Sequence, residues 1–497
     1  MMMMKYFCII ISLLFTIPAI WARNYNIVTQ GKAVADGKIL NTIIIQQAID
    51  LLGKKGGGRI VFPKGVYLTG CLQLKSGIEL YLEKDAVLLG STNPDDYYHL
   101  NKDNNTTQKS DNSKLALILG NKVKNIAISG EGTIDGQGLN LALNIDSLHN
   151  AGVRIDPHYN VRRMRPNETA RPKLFFLSEC ENISVTGLHL MNSACWGITF
   201  DLCSDLLIDQ VTMTNRAYWN NDGIDITDCR RVKITRCNVN SADDGICLKS
   251  YHPNACNDSI YIADCEVRSS ASAIKFGTAS WGGFKNITID NIRVFDTFRS
   301  AIAIESVDGG DIENVDVSRI MAKNTGNAIF IRLGHRAGGR VGMIKNISIK
   351  DMDVEIPFGR PDINYDLRGP EVDFFHNPFP SSITGIPGHY IEGVHLENIE
   401  ITCPGRATKG MAYIPLSRLD QVPEQIDKYP EFSMFGELPS WGLYIRHAKD
   451  IALKNVRLKL VEPDYRPAII MDDVMGESFE RVFVPSDKKE QIIRLNN

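Results

Sequence analysis

The sequence predicts an all-β chain: a right-handed parallel β-helix, wound as a single-stranded solenoid, with an N-terminal capping helix and long loop insertions. Three observations predict it. First, a polar residue followed by apolar, variable, apolar recurs along most of the chain. The copies begin as Asn125-Ile126-Ala127-Ile128, Asn182-Ile183-Ser184-Val185, Asp205-Leu206-Leu207-Ile208, Arg231-Val232-Lys233-Ile234 and Ser259-Ile260-Tyr261-Ile262. They continue from Asn286, Asn314, Asn346, Asn398 and Asp450, and in the central run the spacing is roughly 23 to 32 residues, a solenoid period. Second, another column keeps the same phase, through Gly197-Ile198-Thr199-Phe200, Gly223-Ile224-Asp225-Ile226, Gly245-Ile246-Cys247-Leu248, Ala273-Ile274-Lys275-Phe276, Ala301-Ile302-Ala303-Ile304 and Ala328-Ile329-Phe330-Ile331. Period-two alternation inside each copy marks a strand with alternate side chains turned into a core. Third, Asp-Gly-Ile occurs twice, at Asp222 and Asp244, about one coil apart.

Taken in order, residues 1–22 read as a secretory signal peptide. Lys5 opens it, residues 6–17 form a short apolar run, and Pro18 and Ala22 follow. That run is too short for a comfortable membrane span and no other segment reaches about 20 apolar residues, so no stable membrane insertion is expected. Residues 23–95 form an N-terminal cap and the first coils. Within them, residues 42–52 carry apolar side chains at helical spacing and run into Gly56-Gly57-Gly58, which predicts an amphipathic helix that covers the open first coil. The remaining 96–497 are the β-helix itself. A polar loop interrupts it at 101–113, and insertions rich in Pro and aromatics interrupt it at about 356–390 and 404–441, where long segments on a rigid scaffold shape sites.

Composition narrows the function. A net charge of -3 leaves no basic footprint, so nucleic acid is not an expected partner. Of eleven cysteines, Cys8 lies in the leader, and Cys180, Cys203 and Cys229 open repeats at one phase, which suits a buried thiol ladder at least as well as disulfides. No Cys-x-x-Cys or His-x-x-x-His spacing points to structural zinc, and no metal or cofactor is expected.

Aligning the two Asp-Gly-Ile segments stacks Asp222 on Asp244, one strand spacing of about 4.8 Å apart, with Asp243 and Asp225 close by. Solvated acids need no such crowding. Like charges at that range push one pKa up, which keeps a general acid protonated beside a general base. The cluster is therefore the candidate active site.

The pairing of Asn220-Asn221-Asp222-Gly223-Ile224-Asp225 with Asp243-Asp244-Gly245 one coil later resembles glycoside hydrolase family 28, the polygalacturonases and their relatives. Asp36-Gly37, Phe62-Pro63-Lys64-Gly65-Val66-Tyr67 and Gly130-Glu131-Gly132-Thr133-Ile134-Asp135-Gly136 extend the resemblance over most of the mature chain. The resemblance implies hydrolysis of pectic glycosidic bonds with inversion, with Asp243 as general acid, Asp222 and Asp244 activating water, and Asp225 in support. It also exposes departures. Ser272 stands where the family commonly has His, and Ala303 and Glu305 stand where it commonly has the Arg and Lys that grip a galacturonate carboxylate.

Replacement substrate contacts are expected from Lys249, Lys275, Glu305, Arg332, His335 and Arg336, with Asp225, on the same face; a guanidinium suits a uronate carboxylate. Trp196, Tyr218, Trp219 and Trp281 lie near the same columns and are candidate sugar platforms. The expected function is that of a secreted, periplasmic or extracellular, exo-acting galacturonidase on homogalacturonan- or rhamnogalacturonan-derived oligosaccharides. A β-helix polysaccharide lyase and a noncatalytic pectin-binding solenoid are the alternatives.

Overall fold

The computed structural model describes residues 23–98, 113–362, 379–408, 416–485 and 491–495. The predicted leader, nearly all of the 101–113 loop and parts of both late insertions lie outside those residues. Within them the chain winds as the repeat predicts. Each strand pairs in parallel with its counterpart one coil away, and the Ile column runs in register as Ile198, Ile224, Ile246, Ile274, Ile302 and Ile329. All six side chains are fully buried and belong to one continuous core.

The polar residue that opens each repeat turns a corner. Asn125, Asn182, Asp205, Arg231, Ser259, Asn286, Asn314, Asn346, Asn398 and Asp450 all have φ between 53° and 60°. That left-handed region is costly for most L-residues and least so for Asn and Asp, whose short polar side chains stabilise it locally. Stacked corners add a ladder, in which the Asn314 amide donates to Asn286 and the Asn346 amide donates to Asn314, both at 3.2 Å.

A second left-handed corner follows five residues later, at Gln210, Arg236, Asp264, Asn291, Arg319 and Asp351. This corrects the phase of one copy. Asn398 stacks on Asp351 and belongs to the second corner, while Gly393, at φ 69°, fills the first corner between Asn346 and Asp450. Glycine in the first corner breaks the polar-first pattern there, while the second corner, Asn398-Ile399-Glu400-Ile401, carries it.

The predicted capping helix spans Thr42–Lys54 and buries Ile45, Ala48, Ile49 and Leu52. Gly56 and Gly57 take positive φ beyond it, and the Gly57 N–H donates to the Leu52 carbonyl at 2.9 Å. A second helix, Gly138–Asn150, had no counterpart in the sequence reading. Its leucines at 139, 141 and 143 alternate like a strand, and Leu139 and Leu143 remain exposed.

The outward-facing column beside the Ile ladder positions the site. It reads Thr199, Asp225, Cys247, Lys275, Ala303, Phe330, Ser382, Tyr444, Ile470. After Lys275 it turns mostly apolar, and a second hydrophobic cluster forms there. Phe379, Val422, Phe432, Phe435 and Leu438 from the two insertions bury Ala303, Phe330, Tyr444 and Ile470. The insertions thus cover one end of the face on which the acids lie.

Of the two arrangements left open, the buried cysteines form the ladder of free thiols. The Cys180 N–H lies 3.4 Å from the Cys203 sulfur, the Cys203 N–H lies 3.3 Å from the Cys229 sulfur, and all three thiols are free. Among the described residues, no helix is long and apolar enough to cross a membrane.

Candidate active site

The acids stack because glycine lets the coils close tightly behind them. The Gly223 N–H donates to the Asp244 carbonyl and the Gly245 N–H to the Ser272 carbonyl, both at 2.9 Å, so Asp222, Asp244 and Ser272 follow one another along a column. A Cβ at Gly223 would lie 2.5 Å from the Gly245 carbonyl oxygen, and one at Gly245 would lie 2.6 Å from that of Ala273. Neither position has room for a methyl group. Carboxylate oxygens of Asp222, Asp243 and Asp244 consequently lie within 4.8 Å of one another. Hydroxyls of Ser241 and Ser269 each donate to the Asp243 carbonyl at 2.7 Å, and its Oδ1 accepts from the Asp244 N–H at 3.0 Å.

Two buried lysines set the charge pattern. The Lys249 ammonium sits 2.6 Å from both Asp222 Oδ2 and Asp225 Oδ1. Burial disfavours its charge, yet the two carboxylates outweigh that and hold it protonated. Burial, opposed by Lys249 and reinforced by the Asp225 charge, drives Asp222 well above the ordinary carboxylate range. Lys275 lies 3.3 Å from Asp244 Oδ2 and 3.9 Å from Glu305 Oε2.

Of the three catalytic candidates, Asp243 and Asp244 differ as an acid and a base would, whereas Asp222, which burial keeps protonated, does not fit the water-activating role that the resemblance gives it. Burial, then the Asp244 charge, raises Asp243 to about 6. Burial pushes on Asp244 too, but Lys275, Lys249, Arg299 and the Ser272 N–H together hold it below the ordinary range. One carboxyl keeps its proton into weakly acidic solution while its neighbour stays ionised. Burial likewise raises Glu305 to about 7, against the pull of Lys275.

Asp222, Asp225, Asp243, Asp244, Lys249, Lys275 and Glu305 thus form one linked cluster, as their sequence positions suggested. The remaining candidates are engaged elsewhere. The buried Arg332 guanidinium donates to the carbonyls of Gly385, Glu424 and Gln425, which ties down the second insertion. Arg336 donates to both Asp308 carboxylate oxygens, at 2.9 and 2.7 Å, and a His335 ring nitrogen lies 3.2 Å from the Gly339 carbonyl.

The aromatics divide similarly. Trp196 is buried, with the Lys249 and Lys173 ammonium groups 3.6 and 4.3 Å from its ring centre. Tyr218 is buried near the Arg171 guanidinium, Trp219 lies against that of Arg165, and Trp281 is exposed.

Four residues of the neighbourhood escaped the sequence reading. Lys173, brought down to about 8 by burial, packs on Trp196 beside the cluster. Arg299 is buried, acts on Asp243 and Asp244, and pairs with Glu431 at 3.1 Å. Tyr429 accepts a hydrogen bond from Lys275 at 3.2 Å. Tyr429 and Glu431 come from the 404–441 insertion, more than 150 residues downstream of Lys275, and no local pattern links them to it. The usable signal was Phe330, an apolar residue at an outward position that calls for cover.

Fold and site together define a parallel β-helix with a cluster of carboxylates on its outer face. The family model for Glycosyl hydrolases family 28 matches residues 58–357, and the chain belongs to that family. A grapevine (Vitis vinifera) protein described as a probable polygalacturonase is 27% identical over 342 residues, covering 67% of this chain and 61% of the relative, so the chain spans less than two thirds of that protein's length. An endo-polygalacturonase of Pectobacterium parmentieri is 23% identical over 346 residues, 67% of this chain and 84% of its own. The solved family 28 exopolygalacturonase of Yersinia enterocolitica aligns over 92% of this chain and 78% of its own with a TM-score of 0.65 at 19% identity, a likeness of fold.

Proposed function

We propose that this chain is a secreted, inverting glycoside hydrolase that releases galacturonic acid residues from the ends of pectic oligosaccharides, derived from homogalacturonan or rhamnogalacturonan. The observation that carries the reading is the split between Asp243, raised to about 6, and Asp244, held ionised, with their oxygens within 4.8 Å. Asp243 donates its proton to the leaving glycosidic oxygen as that bond breaks. Asp244, stacked beside Asp222, accepts a proton from the water that attacks the anomeric carbon.

The covered end of the face supports exo action. Insertion residues bury the outward column at Ala303 and Phe330, one and two coils beyond Lys275, so a long polymer has no straight path across. Secretion rests on the leader at 1–22. It predicts a mature protein that begins just after Ala22, checked by N-terminal sequencing of exported protein.

Inversion is taken from the family, and it has its own check. Inverting enzymes usually hold their carboxyl groups about 6.5 to 9.5 Å apart, whereas the nearest oxygens here lie within 4.8 Å. Proton NMR of the first-formed product distinguishes the outcomes, since inversion gives the anomer opposite to that in the substrate. Digestion of homogalacturonan and rhamnogalacturonan oligosaccharides, with products separated by size, tests the activity. Asp243→Asn is expected to lower kcat by about 10²- to 10⁴-fold. Full activity in that variant, or no product from any galacturonate glycan, defeats the reading.

A further inference from the structure

Beside the partly buried Asp243, an aromatic side chain from the insertion stands open to solvent. Tyr429 is 49% exposed although its hydroxyl lies at the centre of the charge network. Lys275 Nζ is 3.2 Å from that hydroxyl and 5.3 Å from the ring centre, so the ammonium sits at the phenol's polar end rather than against its face. The same ammonium is 3.3 Å from Asp244. Pro430 is buried next to it, and Glu431 pairs with buried Arg299, which fixes the backbone on the C-terminal side of the ring. On the other side, Arg332 holds the carbonyls of Glu424 and Gln425.

A tyrosine fixed at both flanks, with its oxygen bonded inward and much of its ring in water, is an amphipathic surface suited to the C–H-rich face of a pyranose. The aromatics singled out from the sequence fill that role less well. Trp196 and Tyr218 are 3% and 6% exposed and lie against cations, half-buried Trp219 has the Arg165 guanidinium 4.6 Å from its ring centre, and the Trp281 backbone is tied to Ser250 rather than to the acids.

We propose that Tyr429 is a substrate-binding residue of the cleft, stacking its ring on the sugar next to the scissile bond while its hydroxyl positions Lys275 against Asp244. The proposal rests on the pectic hydrolase reading and gives the site its sugar platform. The two roles separate by substitution. Tyr429→Ala removes the ring and the hydroxyl; Tyr429→Phe removes the hydroxyl alone.

The test uses the full chain with galacturonate trisaccharide and a rhamnogalacturonan tetrasaccharide, in steady-state kinetics and in calorimetric binding on an Asp243→Asn background. Tyr429→Ala is expected to raise both KM and Kd by about tenfold. Tyr429→Phe is expected to keep KM within about twofold and to shift the pH profile of kcat/KM, as Lys275 loses a partner. Tyr429→Trp, which restores a ring, is expected to recover binding relative to Ala. Thermal melts that match the wild type confirm folding, as the exposed ring leads one to expect. If the wild type cleaves these sugars and Tyr429→Ala equals it in KM and Kd, or Tyr429→Phe loses binding as Ala does, the stacking role is wrong. A wild-type chain that neither binds nor cleaves them defeats the functional reading itself.

Discussion

At the scale of single residues, the site runs on pKa differences that only close packing produces. In the proposed mechanism Asp243, raised to about 6, acts protonated, and Asp244 acts ionised. Activity is therefore expected to peak in acid, with kcat/KM falling about tenfold per pH unit above about 6 as Asp243 loses its proton. A profile flat from pH 5 to pH 8 would contradict that assignment. The same shift has a stability consequence of opposite sign to the usual salt-bridged carboxylate. Asp243 in the folded chain binds its proton more tightly than the unfolded value of about 3.9 allows, so its contribution is complete below about pH 4 and is lost as pH rises through 6. Glu305, at about 7, acts in the same direction. Asp243→Asn should melt higher than the wild type at pH 7 and equal it near pH 4, which thermal scans at the two pH values would read. The crowding of Asp222, Asp243 and Asp244 was legible in the sequence, because strand register alone stacks them. Their proposed division of labour came from the family resemblance alone; its physical cause was not legible, since it depends on Lys275, Lys249 and Arg299 arriving from separate coils.

At the scale of elements, the coil is shaped by its corners. The polar residue that opens each repeat was visible in the sequence, but its cause was not: it is the left-handed φ that a tight corner in the coil requires. Gln210 gives a clean test, since it is exposed, has φ 55°, and is neither Asn nor Gly. Relief of roughly 1 to 2 kcal/mol of left-handed strain outweighs the up to about 1 kcal/mol of chain entropy that glycine costs, so Gln210→Gly should raise stability slightly. Gln210→Val should lower it by at least about 1 kcal/mol, since a branched side chain suits that region least. Denaturant titrations of the pair decide the matter; equal midpoints would mean the corners carry no strain. The glycines behind the acids obey a different rule, one of space. At Gly223 an added methyl meets the Gly245 carbonyl and the Val239 side chain at 2.5 Å, so Gly223→Ala is expected to cost about 1 to 3 kcal/mol and to displace Asp222.

At the scale of the whole molecule, a solenoid is a uniform face until something interrupts it, and in the proposed exo action the interruption limits the substrate's reach. The outward column changes from Asp225, Cys247 and Lys275 to Ala303 and Phe330, and the insertions bury that apolar stretch. The sequence located the insertions, but where a long segment docks depends on contacts distant in the chain. Arg332 shows this, because an outward arginine reads as a substrate ligand until Glu424 and Gln425 are found on it. The docked segment also carries Tyr429 and Glu431 to the acids, so the wall and the sugar platform are one element. Loosening it should therefore change the mode of cleavage together with its rate. Phe432 and Phe435 anchor it in the second hydrophobic cluster, and Phe432→Ala with Phe435→Ala would cost several kcal/mol of docking while leaving the β-helix core untouched. The wild type is expected to release end units with little drop in polymer viscosity. The double variant should turn over more slowly, and for each bond broken it should cut viscosity more, as chains gain a path across the opened face. A wild type that already yields a ladder of internal fragments would show that the insertion walls off nothing.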